Sequence, residues 1–202
     1  MKNFISITLL FISFVSSAQT NGNYVIILDN DSVFINLDES KSYSTKTGEE
    51  LNIKLIQPNI LTYSDDFISF NYERSLNVSN TLLEEGIEQC LVMKSTGNGF
   101  LIQKYSTMNP SDLTSLILNE LTKESVNYGY KRTDKKFKKT LVSGETIEGL
   151  KVTLKYQNEK QVYTVATYGE KDRGILVLTM FLNNDYNDME IINLLFNTLQ
   201  LK

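Results

Sequence analysis

The chain has 202 residues, with 20 lysine and arginine residues against 24 acidic ones, no histidine and one cysteine. Its net charge of -4 gives no reason to expect a nucleic-acid partner. Without histidine, the chain cannot build a Ser-His-Asp or Cys-His nucleophile system, a histidine-ligated zinc site or a histidine-held haem. A single thiol cannot form an internal disulfide, so an exported chain of this kind depends on its hydrophobic core.

The start of the chain has the pattern of an export signal. Lys2 supplies the positive end, an apolar run extends from Phe4 to Val15, and the small trio Ser-Ser-Ala occupies positions 16–18. The run is too short to cross a bilayer, which takes roughly twenty apolar residues. We therefore predict cleavage near Ala18-Gln19 and an exported product, periplasmic or extracellular, with no transmembrane segment. The Ser-Ala-Gln end resembles the signals of Gram-negative Bacteroidetes.

Strand patterns dominate the segment after the signal. Predicted strands over 24–28 and 33–37 flank Asp29-Asn30-Asp31-Ser32, which favours a hairpin turn, and a third strand is predicted over 51–56. Pro58-Asn59 marks a boundary. The sequence therefore divides into a signal peptide (1–18), an N-terminal strand-rich segment (19–60) and an α+β domain (61–202).

The first helix of that domain follows a strand and a hairpin. A strand is predicted over 67–72, and residues 88–95 pair with 100–105 across Gly97-Asn98-Gly99. Asn109 is placed to cap the helix, Pro110 suits its first turn, and Gly129 suits its end. The predicted apolar stripe of this helix is Leu113, Leu116, Ile117 and Leu121.

The sequence of the C-terminal part predicts three strands, then a central strand, and finally a second helix. Residues 131–142, 150–156 and 161–168 are extended, whereas Ile175 to Leu182 is apolar on both faces, as in a strand covered on both sides. A second helix is expected near 186–199, behind Asp185. The predicted fold class is α+β, a mostly antiparallel sheet sandwiched between helices, with an N-terminal strand-rich extension.

This order of elements over about residues 65–202 resembles the family of the photosystem extrinsic protein PsbP and the Ran-binding Mog proteins. The resemblance rests on the helix after Asn109-Pro110, on Glu148-Gly149-Leu150 before an alternating strand, on the aromatic strand around Tyr163, and on the strand from Ile175 into the last helix. It implies a PsbP-like α-β-α sandwich and an adaptor or assembly role without catalytic machinery. No site residue is carried over, because no motif matches position by position.

The densest charge run of the chain is the main candidate for a binding surface. Six cations occur within residues 131–139: Lys131, Arg132, Lys135, Lys136, Lys138 and Lys139. On a strand they could engage an acidic protein or an anionic envelope component. The alternative interpretation is an edge strand that lysines protect from aggregation.

Other candidates for chemistry are weaker. Paired carboxylates for glycoside hydrolysis could come from Asp65-Asp66 or from Glu84-Glu85 with Glu88, but adjacent strand residues point to opposite faces and the second group suits a solvated turn. Cys90 lies in a strand-like run and is expected to be a small buried residue rather than a reactive thiol. We predict no catalytic, cofactor-binding or metal-binding residues.

Three functions follow as hypotheses. The first is an exported, non-catalytic binding or assembly protein of the bacterial cell envelope that docks an acidic partner through the lysine-rich strand. The second is a carboxylate-dependent hydrolase of a cell-envelope polymer, which requires two acidic side chains about 5 to 10 Å apart across a cleft. The third is a small-molecule carrier, which requires an apolar pocket.

Overall fold

The structure, a computed structural model, describes residues 23–182 and 186–202. The predicted signal peptide and Asp185 lie outside the described residues. The chain divides into two compact units, Met1–Gln57 and Pro58–Lys202.

The described residues of the N-terminal unit, from residue 23 onward, form two hairpins. Strands β1 (Tyr24–Leu28) and β2 (Asp31–Ile35) pair across a two-residue turn, in which Asp29 and Asn30 adopt φ values of 48° and 73°. Two positive φ angles are what a tight hairpin requires, so the predicted turn is confirmed. The second hairpin joins β3 (Ser40–Ser44) to β4 (Glu50–Lys54); its first strand is polar, and the sequence pattern did not indicate it.

The C-terminal unit contains ten strands and two helices among its described residues. In chain order these are β5 (Ile60–Ser64), β6 (Ile68–Glu73), β7 (Ser79–Glu84), β8 (Ile87–Met93), β9 (Gly99–Tyr105), α1 (Leu113–Tyr128), β10 (Lys131–Thr140), β11 (Thr146–Tyr156), β12 (Glu159–Gly169), β13 (Gly174–Phe181), α2 (Tyr186–Thr198) and β14 (Gln200–Leu201). Strands β7 to β13 form one antiparallel sheet in the order β10-β11-β12-β13-β9-β8-β7, and β14-β6-β5 form a smaller antiparallel sheet.

Strand β13 lies at the centre of the seven-stranded sheet, as its unbroken apolar sequence predicts. Leu176 and Leu178 project to the side on which α1 packs, which we call the α1 side. Ile175 and Val177 project to the opposite side, which we call the far side. All four side chains are at most 4% exposed. Both faces of this strand are therefore in the core, which accounts for its lack of polar alternation.

The predicted helix-sandwiched α+β fold, the PsbP-like α-β-α sandwich, is wrong. The described residues are mostly antiparallel β structure, with fourteen strands and two helices. On the far side the cover includes strand β6, whose Ile68 and Phe70 are fully buried, together with α2. The Phe70 ring meets Phe100 of β9 edge-on, with the ring centroids 5.4 Å apart. The β5–β6 hairpin shares the far side with α2, where the predicted fold expects a helix alone. The side chains of β5 are exposed or half-buried, so no apolar run marks it as a strand.

Helix α1 ends at Gly129 as its sequence predicts, but it begins later than expected and buries a different stripe. Its N-cap is Asp112, with no side-chain capping bond, so the predicted capping role of Asn109 is wrong. Asn109 Oδ1 accepts the Ser111 N–H at 2.9 Å, and Gly129 adopts the left-handed conformation with φ 118°. The buried positions are Thr114, Leu118 and Thr122, with Leu113 and Ile117 packed beside them. Leu116 is 59% exposed and Leu121 is 37% exposed, so their predicted places in the core are wrong. Two threonines take core positions that a search for apolar residues does not find.

Hydrogen bonds join the first turn of helix α2 to the loop between β8 and β9. Asp188 is 4% exposed and accepts hydrogen bonds from Lys94 Nζ at 2.6 Å, from Thr96 Oγ1 at 3.3 Å and from the Asn98 side-chain amide. The Lys94 ammonium, followed by the Asn98 amide, lowers the pKa of Asp188. The carboxylate therefore stays ionised beside the positive end of the helix dipole.

Candidate functional site

The lysine-rich stretch forms β10, the edge strand of the seven-stranded sheet. Because side chains alternate along a strand, its six cations divide between the two sides of the sheet. Arg132, Lys136 and Lys138 project to the α1 side, where Arg132 bonds Asn119 and Thr122 of α1. The remaining cations, Lys131, Lys135 and Lys139, project to the far side. The sequence therefore overstated how many of these cations can act on one surface.

Neighbouring strands add three lysines to the far side. Lys151 of β11 stands opposite Lys135, and Lys155 of β11 stands opposite Lys131. Lys160 of β12 stands opposite Lys155, so that three lysines form a row across three strands. We call this surface the lysine face; its residues are Lys131, Lys135, Lys139, Lys151, Lys155 and Lys160.

Acidic residues of the same three strands all project to the α1 side. They are Asp134, Glu148 and Glu159, one from each strand. Within residues 23–182 and 186–202, no ion pair joins a lysine of this face to a carboxylate. Lys139 donates to Asn197 Oδ1 of α2 at 3.0 Å, whereas Lys131, Lys135, Lys151 and Lys155 are exposed. These three strands therefore separate charge by side, and the charged residues that they project to the far side are all lysines.

On the α1 side, by contrast, two of the three cations of β10 pair with carboxylates of the protein. Arg132 makes two bonds of 2.7 Å to the Asp134 carboxylate, and this contact raises the pKa of Arg132. Lys138 lies 2.7 Å from Glu148 and lowers the pKa of that carboxyl group. These two pairs compensate their charge within the protein. They leave less field for an external partner than the far side does.

A small apolar surface borders the lysine face where α2 packs on the sheet. Phe137 of β10 packs against Phe196 of α2 with ring centroids 5.1 Å apart. A cavity of about 140 Å³ lies beside them, lined also by Lys151 and Thr164. A docked partner would thus meet an aromatic surface bordered by lysine ammonium groups, that is, an apolar contact beside a polar rim.

The sequence contained the signal for the lysines that we missed. In β11, Leu150, Val152 and Leu154 alternate with Lys151, Thr153 and Lys155. That alternation predicts a half-buried strand whose outer residues are basic. What the sequence did not show is which strand pairs with it and in what register, and that pairing brings the lysines together.

A second cluster joins residues from two acidic stretches that the sequence treated separately. Lys104 Nζ lies 2.7 Å from Asp65 Oδ2 and 2.6 Å from Glu88 Oε2, and the lysine side chain is only 9% exposed. The three side chains line a cavity of about 300 Å³ together with Asp66, Phe67 and Ser106. Two carboxylates therefore converge after all, one from the β5–β6 turn and one from β8.

The chemistry of this pair does not match that of a glycoside hydrolase. Burial acts to raise the pKa of Asp65, but the Lys104 ammonium and the N–H groups of Ile68 and Phe67 outweigh it and lower the pKa to about 2. A general acid for glycoside cleavage needs a raised pKa. Lys104 also occupies the space between the carboxylates. The geometry is that of a partly buried ion triad, which stabilises the packing of the β5–β6 turn on the large sheet.

Cys90 is fully buried in β8, as predicted, and its thiol donates to Asn80 Oδ1 at 2.9 Å. Burial is the main reason why the pKa of this thiol is raised. A protonated, enclosed thiol is a poor nucleophile. In the described part of the chain, no group of three or more Asp, Glu, His or Cys side chains is arranged to hold a metal ion. None of the described helices has the length and apolar character needed to cross a membrane.

Comparison with known proteins adds little beyond this geometry. No protein-family model matches the chain, and no curated protein matches it. The chain is similar to a solved structure from Bacteroides thetaiotaomicron VPI-5482, with 14% identity and a TM-score of 0.37. The match covers 73% of this chain and 49% of the other, so the chain spans about half the length of that protein. A likeness at this TM-score does not define a shared fold, and the resemblance to the PsbP family stays a sequence-based prediction.

Proposed function

We propose that this protein is an exported, non-catalytic binding or assembly protein of the bacterial cell envelope, which docks an acidic partner protein through the lysine face. The export signal of residues 1–18 supports the location. The observation that carries the docking proposal is the separation of charge across β10, β11 and β12. Six lysines share the far side, and the carboxylates of these strands are all on the other side.

Protection of an exposed edge explains only part of this pattern. Lysines on β10 do keep an edge strand from pairing with another chain. Lys151, Lys155 and Lys160, however, lie one and two strands inside the edge, where there is no unpaired backbone to protect. Like charges directly opposite each other also destabilise a sheet. A basic surface maintained at that cost fits a surface that binds an acidic partner.

The expected binding mode is electrostatic steering followed by close contact beside Phe137. Lys131, Lys155 and Lys160 form one row at strand spacings of about 4.8 Å, and Lys135 with Lys151 forms a second row about 13 Å further along the strands. Such a field accelerates encounter with an acidic surface and weakens as salt is added.

The test compares two double variants with the same change in net charge. The mature chain from Gln19 is used to capture a partner from an envelope extract, and the partner is purified for affinity measurements. Lys135→Gln with Lys151→Gln, on the far side, should weaken binding about tenfold. Lys136→Gln with Lys138→Gln, on the α1 side, is the matched control and should change the affinity less than about twofold.

Three outcomes would contradict the proposal. Equal losses in both variants would show a general charge effect, and an unchanged affinity in the far-side variant would remove the lysine face from the interface. Binding to anionic vesicles with no captured protein would replace the acidic protein with a lipid surface. A series of salt concentrations separates these cases, because a specific interface retains affinity at high ionic strength through its apolar contacts.

A further inference from the structure

A groove on the α1 side, away from the lysine face, is lined mainly by hydroxyl groups. It has a volume of about 500 Å³, within the roughly 300–1,000 Å³ typical of ligand sites. The start of α1 contributes Ser111, Thr114 and Ser115, and β11 and β12 contribute Thr146, Glu148 and Thr167. We call it the hydroxyl groove.

Thr114 distinguishes this groove from an ordinary solvated gap. The residue is 8% exposed, yet no hydrogen bond to its hydroxyl occurs among residues 23–182 and 186–202. Thr122, on the same buried stripe of α1, provides the comparison. Its hydroxyl donates to the Leu118 carbonyl at 2.7 Å and accepts from Arg132 at 2.9 Å. The Thr114 hydroxyl is not among the side-chain atoms that are enclosed without a partner, so it opens on the groove and has capacity for a ligand that Thr122 lacks.

The other groups that line the groove indicate which ligand would fit. Glu148 keeps its negative charge, because Lys138 lowers the pKa of its carboxyl group while occupying one of its oxygens. An ionised carboxylate repels phosphate and other anions, but it accepts hydrogen bonds from hydroxyl groups. Leu150 supplies an apolar contact in the same lining, against which the C–H groups of a ring can pack.

We propose that the hydroxyl groove binds a neutral sugar, with Thr114 and Glu148 as its principal hydrogen-bonding groups. A pyranose ring carries hydroxyls that donate to a carboxylate and exchange hydrogen bonds with serine and threonine, together with an apolar face for Leu150. This site is independent of the docking function proposed above, because it uses the opposite side of the sheet.

Calorimetric titration of the mature chain tests the assignment. The probes are D-glucose, D-galactose, N-acetyl-D-glucosamine and inorganic phosphate, each to about 50 mM. At least one neutral sugar should bind, and phosphate should not. Thr114→Val and Glu148→Gln should each weaken sugar binding roughly fivefold, because each removes a hydrogen bond to the ligand.

Matched controls separate a ligand contact from a structural effect. Thr153→Val and Glu159→Gln make the same chemical changes outside the groove and should leave the sugar affinity unchanged. Since the Thr114 hydroxyl has no protein partner among the described residues, Thr114→Val should not lower the melting temperature. The proposal is overturned if no neutral sugar binds, if phosphate binds in its place, or if binding persists unchanged in both groove variants.

Discussion

Lys135 and Lys151 face each other on adjacent strands, without a carboxylate between them in the described residues. A residue that serves binding at the expense of packing should leave the protein more stable when it is replaced. Reversing Lys135 to glutamate converts a repulsive cross-strand pair into an attractive one, so Lys135→Glu should raise the free energy of unfolding by about 0.5 kcal/mol at low salt. The gain should shrink as ionic strength increases.

Urea denaturation at low and high salt measures this change. Lys136→Glu is the control, because Lys136 stands opposite Leu150 and gains no cross-strand lysine. The same Lys135→Glu protein should bind its partner less well than the unaltered chain. A loss of stability at Lys135, or an equal gain at Lys136, would show that the opposed lysines do not repel each other appreciably.

Asp65 should control part of the acid denaturation. Its pKa lies at about 2, below the ordinary value of 3.8, so the folded chain binds the proton less readily than the unfolded chain does. The stabilisation is complete above about pH 5 and is lost as pH falls from there through the folded pKa near 2. It amounts to about 2 kcal/mol at neutral pH.

Asp65→Asn should therefore lower the stability at pH 7 and flatten its decline between about pH 5 and pH 2. Denaturant unfolding at a series of pH values gives both quantities. Asp66→Asn is the neighbouring control, since Asp66 makes no hydrogen bond or ion pair with the described residues. An unchanged acid limb in Asp65→Asn would mean that Lys104 does not stabilise this carboxylate.

At the scale of elements, α2 depends on one carboxylate at its start. Asp188 is buried and gathers three donors from the β8–β9 loop. Asp188→Ala leaves the Lys94 ammonium and the buried Asn98 amide without this acceptor, so it should cost about 3 kcal/mol. Glu190→Ala, in the same turn but exposed, should cost less than about 0.5 kcal/mol. Thermal unfolding of both variants checks the contrast; similar losses would place the anchor of α2 elsewhere.

Helices, strands and turns could be predicted where residues close in sequence determine them. The apolar run of β13, the Gly97-Asn98-Gly99 hairpin and Gly129 at the end of α1 all occur as expected. Each depends on residues that are close in sequence. Strands β3, β5 and β7 are not predicted from the sequence, because their side chains are exposed or half-buried and no apolar period marks them.

At the scale of the whole molecule, export is the prediction with the clearest measurement. If residues 1–18 are a signal peptide, the protein recovered from the periplasm or the medium should begin at Gln19. Intact mass and N-terminal peptide mapping of cell fractions determine this. Replacing an apolar residue of the run, as in Leu10→Arg, should retain the precursor inside the cell, whereas Ser13→Ala should not, because it keeps the run uncharged. Full-length protein beginning at Met1 in the envelope fraction would contradict the prediction.

The charged surface of the folded protein differs from the one that the sequence predicts. The run of six cations in residues 131–139 was evident, but strand alternation divides it, and only three of the six contribute to the lysine face. The other half of that face comes from β11 and β12, up to 29 positions away from Lys131 in the chain. Likewise, Asp65 and Glu88 belong to separate acidic stretches of the sequence, yet in the structure both contact Lys104.

The sequence by itself determined the absence of histidine chemistry, the export pattern, the C-terminal end of α1 and the central strand, because composition and short-range periodicity are properties of neighbouring residues. Tertiary structure alone decided the β-rich cover of the far side, the lysine face, the ion triad at Lys104 and the groove around Thr114. Each of these depends on the register of strands or on the packing of a hairpin or helix against a sheet. Such contacts join residues far apart in the chain, and no local pattern specifies which of them will meet.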